Sequence, residues 1–324
     1  MNGPMKKLPF FLPFGGCRGR CVYCSQATIT GVEEMPSPEY VSSVLKELDG
    51  PREVCFFGGS FCRFGRSTIK EYLDSVANNA PEGSRIRFST YPGDLAERSM
   101  RDLIRRYPIA CIELGIPSLD PAVLSLCKRE ADPGIILADI KTIMDEGLPL
   151  GVQIMIGLPG QTMESSLADI RKLADSKGPL SWDLRLYPCL VLESTELETM
   201  MREGKYSPLP LDQAIEWGGI VLDSALSLGF NPIRIGLQES ELLASKVRGG
   251  PHHPALGEMI ASEALVRKLI KNNWTGPWVV PDEHLSKFTG HGCFGLRRLA
   301  EFAGSTTDAV SEKLSFFPPA SKII

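Results

Sequence analysis

Three cysteines near the start of the chain, Cys17, Cys21 and Cys24, lie within eight residues. Three and then two residues separate them, and the run is rich in glycine. Three thiolates at this spacing are able to bind three irons of a [4Fe–4S] cube and leave the fourth iron open. The loop therefore predicts an iron–sulfur centre with one iron free to take another ligand.

Other uses of these cysteines stay open from the spacing alone. A disulfide with one free thiol requires an oxidising compartment, of which the sequence gives no sign. Zinc needs a fourth ligand, commonly from a second CxxC, and none follows. We expect most of the other cysteines to be small core residues, with a second cluster as the alternative. These are Cys55, Cys62, Cys111, Cys127, Cys189 and Cys293.

Length and composition indicate a globular chain without a membrane segment. Its 324 residues suit one barrel-sized domain with an extension, and 43% are hydrophobic and 23% charged. A net charge of −4 gives no overall attraction to nucleic acid or to anionic membranes. No apolar run reaches about 18 residues, and Pro9 and Pro13 interrupt the N-terminal one. We therefore expect neither a membrane span nor a signal peptide, and a reducing cytoplasm as the location.

Strands and helices alternate along the first two-thirds of the chain. Continuous apolar strands in a βα repeat indicate an α/β fold, with a parallel sheet covered by helices. Six such units are fewer than the eight of a closed TIM barrel, so an open, partial (β/α)6 barrel is predicted. The polar phrases follow the strands, at the carboxyl ends where barrels carry their chemistry.

The pattern changes after about residue 193. We assign residues 1–210 to the partial-barrel core and residues 211–324 to a C-terminal mixed α/β extension. The extension contains an amphipathic helix over 211–228 and a further strand over 231–238. Because no linker-like stretch separates the two parts, we expect the extension to pack on or cover the barrel mouth.

The cysteine loop resembles that of the radical S-adenosylmethionine (SAM) superfamily, in which an aromatic residue, here Tyr23, precedes the last cysteine. Later phrases resemble the branch containing the Elongator catalytic subunit and oxygen-independent coproporphyrinogen dehydrogenase. The resemblance implies a [4Fe–4S] cluster, SAM cleaved to a 5′-deoxyadenosyl radical, and an electron donor such as flavodoxin or ferredoxin. The phrases are FFGGSF (56–61), STYPGDL (89–95), IELGIPSLD (112–120) and IMIGLPGQT (154–162).

The same resemblance implies roles for individual residues. Cys17, Cys21 and Cys24 would bind iron, and the backbone around Tyr23 would meet adenine. The methionine amino group would be held by a glycine turn that lacks side chains and permits close approach, at Gly58, Gly59 and Ser60. Three further residues would contact SAM: Ser89, Arg129 at the carboxylate and Gln153 at the ribose hydroxyls. The alternatives are that the glycines only form a tight turn, that Arg129 is a surface charge and that Gln153 is a hydrogen-bonded core amide.

Besides Ser89, which stands where the dehydrogenase has a carboxylate, and an iron loop shorter than that of Elongator, two departures from this branch bear on function. Pro117 stands where the fourth-strand phrase usually has glutamine, and proline has no N–H to donate. The acetyltransferase domain of the Elongator subunit is also missing from this sequence. The second departure puts in doubt any carry-over of wobble-uridine carboxymethylation of tRNA.

The substrate would lie over the barrel mouth, where a near-attack distance of about 3–3.5 Å is required. His252, His253 and Glu258 are the best candidate contacts, although the histidines equally suit helix capping or bonds to carbonyls. Cys293 suits either a hydrogen-atom donor or a buried thiol, and we favour the buried thiol. The other candidates follow strands: Arg185, Tyr187, Arg234 and Gln238.

The sequence is therefore interpreted as a radical SAM enzyme acting on an unidentified substrate. Modification of RNA or a nucleotide is the first hypothesis, and reaction of a small molecule is the second. The charge balance weighs mildly against RNA. The alternative class is an iron–sulfur or SAM-binding carrier or sensor without radical turnover, and a SAM cleavage assay separates the two classes.

Overall fold

A seven-stranded parallel sheet forms the body of the chain. The computed structural model describes residues 5–17, 19–129 and 131–318. From one edge to the other, the strands are β1 Lys7–Phe11, β2 Glu53–Phe57, β3 Arg85–Thr90, β4 Ile109–Gly115, β5 Leu150–Ile156, β6 Asp183–Pro188 and, after the short β7 Val191–Leu192, β8 Asn231–Ile235. Each neighbouring pair in the sheet is parallel, which confirms the α/β partial barrel.

Helices connect these strands and cover the sheet. They are α1 Gln26–Thr30, α2 Pro38–Lys46, α3 Arg66–Asn79, α4 Arg98–Ile104, α5 Pro121–Leu126, α6 Pro133–Asp145, α7 Met163–Lys177, α8 Glu196–Arg202, α9 Leu211–Ser227, α10 Glu241–Lys246, α11 Leu256–Asn272, α12 Leu285–Phe302 and α13 Thr307–Lys313. Within the residues the structure describes, none of these helices is both long and apolar enough to cross a membrane.

Two small sheets complete the fold. The strand β7 pairs antiparallel with β9 Val247–Gly249, and β10 Trp278–Pro281 pairs in parallel with β11 Leu314–Phe317. The helices α11 and α12 pack around β10 and β11 through a separate apolar cluster that includes Trp278 and Phe288. This part of the chain therefore has its own core beside that of the main sheet.

The main sheet has one strand more than the six predicted for the barrel. The additional strand, β8, lies beyond residue 210 and pairs with β6 from Asp183 opposite Asn231 to Leu186 opposite Ile235. The helix α9 makes the crossover between β6 and β8 and packs against α7. A strand of the expected extension thus continues the βα repeat, because a parallel neighbour satisfies the free edge of β6.

Local sequence signals account for where several helices begin. Ser37 accepts a hydrogen bond from the Tyr40 N–H, and proline occupies the first position of α2. Thr162 and Ser165 form a reciprocal capping box at the start of α7. Stacked phenylalanines fill the core beneath the glycine turn, with ring centroids 5.2 Å apart for Phe56 and Phe61. The turns at the strand ends are therefore held on a rigid base.

The cysteines outside the loop divide into two groups. Five are buried, as the sequence predicts for small core residues: Cys55, Cys62, Cys111, Cys127 and Cys189. The sixth, Cys293, is exposed, so its assignment as a buried thiol is wrong. It lies in a non-helical interruption of α12 at Gly290–Cys293, where the backbone turns outward with φ of 59° at Cys293.

Candidate active site

The cysteine loop lies at the carboxyl end of β1 and leads directly into α1. Left-handed backbone at Phe14 and Gly16 turns the chain, and the Cys17 N–H donates to the Phe14 carbonyl at 3.0 Å. Cys17 is exposed, whereas Cys21 and Cys24 are half-buried. All three are free thiols, so the structure contains no disulfide in this loop.

The glycine turn after β2 packs against this loop. The Ser60 N–H donates to the Gly15 carbonyl at 2.7 Å, and the Phe14 N–H donates to the Gly58 carbonyl at 3.0 Å. A Cβ on Gly59 would stand 2.1 Å from the Gly15 oxygen, so only glycine fits there. The turn therefore supports the cysteine loop, and its contact with the SAM amino group remains a prediction.

A hydrogen-bonded network joins the glycine turn to the turn after β3. The Asp94 carboxylate accepts from the hydroxyls of Ser60 and Thr90, the latter at 2.8 Å. The Tyr91 N–H donates to Ser60 Oγ at 2.9 Å. Ser89, predicted to face SAM, is a buried residue of β3. Sequence reasoning gave Asp94 no role, although it stands inside the STYPGDL phrase.

Arg129 reaches from the end of α5 to the cysteine loop. Its NH2 group donates to the Gly115 carbonyl at 2.6 Å, and NH1 lies 3.5 Å from Cys21 Sγ. Its Nε is buried and has no hydrogen-bond partner in the described part of the chain. An unsatisfied guanidinium N–H beside the cysteines requires an acceptor. The predicted SAM carboxylate is a suitable acceptor in charge and geometry.

The electrostatics of the loop also fit a metal cluster. Burial raises the pKa of the Cys24 thiol to about 12, although the Gln26 amide, 3.3 Å from its sulfur, acts in the opposite direction. A buried thiolate is costly unless positive charge offsets it, which bound iron provides. In the ranges described above, no three His, Cys, Asp or Glu side chains are grouped to hold a single ion. A cube does not need that arrangement, since each thiolate binds a different iron.

Charged side chains fill the interior of the half-barrel. Glu113, only 2% exposed, accepts hydrogen bonds from Arg87, Arg185 and Gln153. The Gln153 contact is 2.7 Å long and joins its Nε2 to Glu113 Oε2. Sequence reasoning missed Glu113, although a carboxylate inside the apolar strand IELGI is an available signal.

Tyr187 lies one strand repeat beyond Arg185 on the inner face of β6. Burial raises the pKa of the Tyr187 hydroxyl, whereas the nearby Arg185 and Arg234 guanidinium groups act to lower it. Arg234 belongs to the edge strand β8 and donates to the Gly236 carbonyl at 3.0 Å. These three residues therefore form a continuous polar surface from the interior of the half-barrel to its edge.

A cavity of about 410 Å³ runs along β8 and past its carboxyl end. Four predicted substrate contacts line it together: Arg234, His252, His253 and Glu258. Glu239 and Lys287 also line the cavity, and sequence reasoning had not selected either. Tyr187 and Cys293 are not among the lining residues.

Polar contacts order the cavity wall. His252 Nε2 lies 3.1 Å from the Glu239 carboxylate, and Lys287 pairs with Glu258 at 2.5 Å. His253 Nδ1 accepts a hydrogen bond of 3.0 Å from the Ala255 N–H, directly before α11. This contact is made to the residue before α11 and does not cap the helix, because α11 has no side-chain hydrogen bond at its N-cap. His252 keeps a carboxylate partner at the cavity.

Apolar packing connects the cavity to the cysteine loop. Leu190 and Leu243 line the cavity and belong to a buried cluster with Leu192. Ile29 of α1, the helix that follows Cys24, packs against the same cluster. The cavity and α1, the helix that follows the cysteine loop, therefore pack on the same apolar cluster.

Two other predicted positions have identifiable surroundings. Tyr23 is half-buried against the apolar cluster of Val22, Cys127 and Leu158, and its role towards adenine remains a prediction. The Pro117 carbonyl accepts a hydrogen bond of 3.1 Å from the Met155 N–H. Proline here therefore joins the ends of β4 and β5, where the related phrase has a glutamine side chain.

Curated proteins similar to this chain include tRNA uridine(34) acetyltransferases and heme chaperones. In curated sequences, the chain is 26% identical over 171 residues to a tRNA uridine(34) acetyltransferase of Methanocaldococcus infernus, covering 53% of this chain and 31% of that protein. It is 21% identical over 230 residues to the heme chaperone HemW of Lactococcus lactis, covering 68% and 59%. The chain spans between about a third and a half of the acetyltransferases it matches.

Solved structures show the same fold. The archaeal Methanocaldococcus infernus Elp3 with an N-terminal deletion superposes with a TM-score of 0.59 at 20% identity, covering 82% of this chain and 62% of that one. Streptococcus suis SuiB bound to S-adenosylmethionine gives a TM-score of 0.52 at 13% identity, covering 75% and 52%.

Family models match two consecutive parts of the chain. The radical SAM superfamily matches residues 11–173, about half of the chain, and the radical SAM C-terminal domain matches residues 182–265. The first match contains the cysteine loop, the glycine turn and Arg129, and the second contains β8 and the cavity-lining histidines. The chain therefore belongs to the radical SAM superfamily, whose enzymes use a [4Fe–4S] cluster and SAM.

Proposed function

We propose that this radical SAM enzyme acts on a small polar substrate, up to about the size of a nucleoside, in the cavity along β8. The observation that carries the proposal is the apolar cluster of Leu190 and Leu243, which lines this cavity and against which Ile29 of α1, the helix after Cys24, packs. Its volume of about 410 Å³ is in the range of small-molecule sites.

The residues around the cysteine loop would hold the cofactors. Cys17, Cys21 and Cys24 would bind three irons, and the unsatisfied Nε–H of Arg129 would meet the SAM carboxylate. When bound and given one electron by the donor, the cluster and SAM would supply radical chemistry of the 5′-deoxyadenosyl type, for hydrogen-atom removal from the substrate or addition to it. An electron donor such as flavodoxin or ferredoxin would dock near the exposed Cys17.

Gln153 would contact the ribose through its carbonyl oxygen. Its amide nitrogen is already engaged with Glu113, so the orientation of the amide is set before any ligand arrives. The Gly58–Ser60 turn would receive the methionine amino group, and its close packing on Gly15 keeps it at one distance from the cysteine loop. These residues bind and orient the cofactor, which lowers the entropic cost of reaching a reactive geometry.

The cavity residues would bind and orient the substrate. Its polar wall carries Arg234, His252 and Glu258, while leucines and prolines line the rest. Paired acidic and basic side chains suit a substrate with several hydrogen-bonding groups and little net charge. The half-buried wall would also limit water near the reacting atoms.

RNA is the competing substrate, since relatives of this chain are named tRNA uridine(34) acetyltransferases. A net charge of −4 supplies no general attraction to phosphates, which weighs against it. A carrier or sensor without turnover is the second candidate function, because relatives matched over as much as 68% of this chain are named heme chaperones. The reducing cytoplasm is the proposed location, in keeping with nine free thiols.

The test is anaerobic incubation of the reconstituted chain with SAM and dithionite, followed by mass spectrometry of 5′-deoxyadenosine. Parallel reactions would contain a small-molecule fraction of cell extract or bulk tRNA. If the small-molecule fraction stimulates release of 5′-deoxyadenosine, the proposal is supported. If only tRNA stimulates this release, RNA is the substrate. A full cluster and bound SAM without release in any reaction would favour the carrier or sensor.

A further inference from the structure

Two arginines contact the ring of one tyrosine beside the cysteine loop. The guanidinium carbon of Arg63 lies 3.9 Å from the centroid of the Tyr91 ring, and that of Arg129 lies 4.0 Å from it. Two guanidinium groups this close would overlap on one face of a ring, so they occupy opposite faces. Each cation is then attracted by the negative π-face of the ring. The tyrosine thereby brings together two positive charges that would otherwise repel each other.

The remaining contacts hold this stack in place. Arg63 Nε pairs with Asp94 Oδ1 at 2.5 Å, and Asp94 is in turn fixed by Ser60 and Thr90. Arg129 is anchored on the opposite side by the Gly115 carbonyl at 2.6 Å. The stack is therefore tied to the turns that follow β2, β3 and β4, and its position is set by the sheet.

The stack faces the cysteine loop. Arg129 NH1 lies 3.5 Å from Cys21 Sγ. A Cβ added to Gly16, the residue before Cys17, would stand 3.1 Å from the Cβ of Arg63, so Arg63 packs against the start of the cysteine loop. Both arginines therefore lie beside the loop, where a positive charge favours negative charge on the cysteine sulfurs. Arg129 has, in addition, a buried Nε–H without a hydrogen-bond partner among the described residues.

We propose that Tyr91 is a positioning residue that holds Arg63 and Arg129 beside the cluster, and that Arg63 is a second cation which raises the cluster's reduction potential. This inference rests on the cluster site assigned to Cys17, Cys21 and Cys24. A reduced cluster carries one more negative charge than an oxidised one, so fixed cations stabilise the reduced state. Arg129 would also meet the SAM carboxylate, and Tyr91 would hold its guanidinium group in one orientation for that contact.

The test uses the full chain, reconstituted anaerobically, and reads two quantities other than turnover. The midpoint potential of the cluster is obtained from an EPR-monitored redox titration, and the SAM dissociation constant from equilibrium binding. Tyr91→Leu removes the π-faces and keeps apolar volume, whereas Tyr91→Phe keeps the ring and serves as the matched control. Arg63→Gln removes the second cation and leaves the ring.

The expected results differ between the variants. Tyr91→Leu weakens SAM binding by about tenfold and shifts the potential to more negative values, because one desolvated cation–π contact is worth about that factor. Tyr91→Phe retains the wild-type potential and affinity. Arg63→Gln shifts the potential in the same direction as Tyr91→Leu and leaves SAM affinity within about twofold.

Three outcomes would overturn the inference. Unchanged potential and affinity in Tyr91→Leu would remove the positioning role, and a Tyr91→Phe variant as impaired as Tyr91→Leu would show that the ring faces are not what matters. If Tyr91→Leu does not fold, an unchanged potential in Arg63→Gln rejects the second cation. Failure of the wild-type chain to bind a cluster would instead reject the cluster site itself, and the proposed function with it.

Discussion

The amide nitrogen of Gln153 donates a 2.7 Å hydrogen bond to the Glu113 carboxylate inside the half-barrel. Glu113 is 2% exposed and also accepts from Arg87 and Arg185, so its charge is compensated by two cations and one amide. A buried carboxylate is tolerated only with such partners. Because of this hydrogen bond, the orientation of Gln153, the predicted ribose contact, depends on Glu113 of the neighbouring strand β4.

Replacing Glu113 by Gln should destabilise the chain by about 3 kcal/mol, because it removes the carboxylate with which the buried Arg185 pairs, whereas Arg87 keeps Glu53 and Asp183. Urea denaturation of the metal-free protein measures the loss. Glu82→Gln, at an exposed position, is the matched control and should stay within about 0.5 kcal/mol of wild type. A loss below about 1 kcal/mol for Glu113→Gln would show that Arg185 finds another partner.

Gly59→Ala should displace the glycine turn from the cysteine loop, since the new Cβ would stand 2.1 Å from the Gly15 oxygen. Overpacking against backbone of this kind costs about 1–3 kcal/mol. We expect lower iron content after reconstitution and a lower melting temperature. Gly19→Ala should behave as wild type, because among the described residues beyond its chain neighbours no atom lies within 4 Å of the added Cβ. Equal iron content in the two variants would contradict the supporting role of the turn.

Reconstitution should give about four irons per chain, and Cys→Ala at Cys17, Cys21 or Cys24 should remove the cluster. Iron analysis and visible absorption measure this directly. Cys293→Ala is the control, because that thiol is exposed and lies outside the loop, and it should retain full iron content. Retention of the cluster in all three loop variants would reject the ligand assignment.

Arg129→Ala should weaken SAM binding by at least about tenfold, through the loss of a charge-assisted contact to the carboxylate. Equilibrium binding to the reconstituted protein gives the dissociation constant. Arg106→Ala, at an exposed position, changes the net charge by the same amount as Arg129→Ala and should leave SAM affinity unaltered. A dissociation constant unaffected by Arg129→Ala would remove that residue from the cofactor site.

The double variant His252→Ala, His253→Ala should retain SAM cleavage and lose substrate turnover, because both residues line the cavity. Loss of the hydrogen bond from the Ala255 N–H to His253 should also cost about 1 kcal/mol of stability. The assay compares 5′-deoxyadenosine release with product formation. His284→Ala, partly exposed and outside the cavity lining, is the control. Loss of cleavage in the double variant would place the histidines nearer to the cofactor than the structure suggests.

The sequence by itself determined the family and the class of fold. The spacing of Cys17, Cys21 and Cys24 depends only on neighbours along the chain, so it is readable without coordinates. The same holds for the alternation of strands and helices and for the caps at Ser37 and Thr162, which act within one turn of helix. The family matches and the parallel sheet confirm these two conclusions. The assignments of individual site residues stay predictions.

Only the tertiary structure decided which distant residues meet. Arg63 and Arg129 stack on Tyr91, and Glu113 binds Gln153, because parallel strands bring their carboxyl ends and inner faces together. The exposure of Cys293 followed from an interruption of α12, which overturned the expected buried thiol. The seventh strand, β8, pairs with the edge of β6, whose backbone groups would otherwise lack partners. Contacts of this kind depend on the folded path of the whole chain, which the spacing of residues along it does not record.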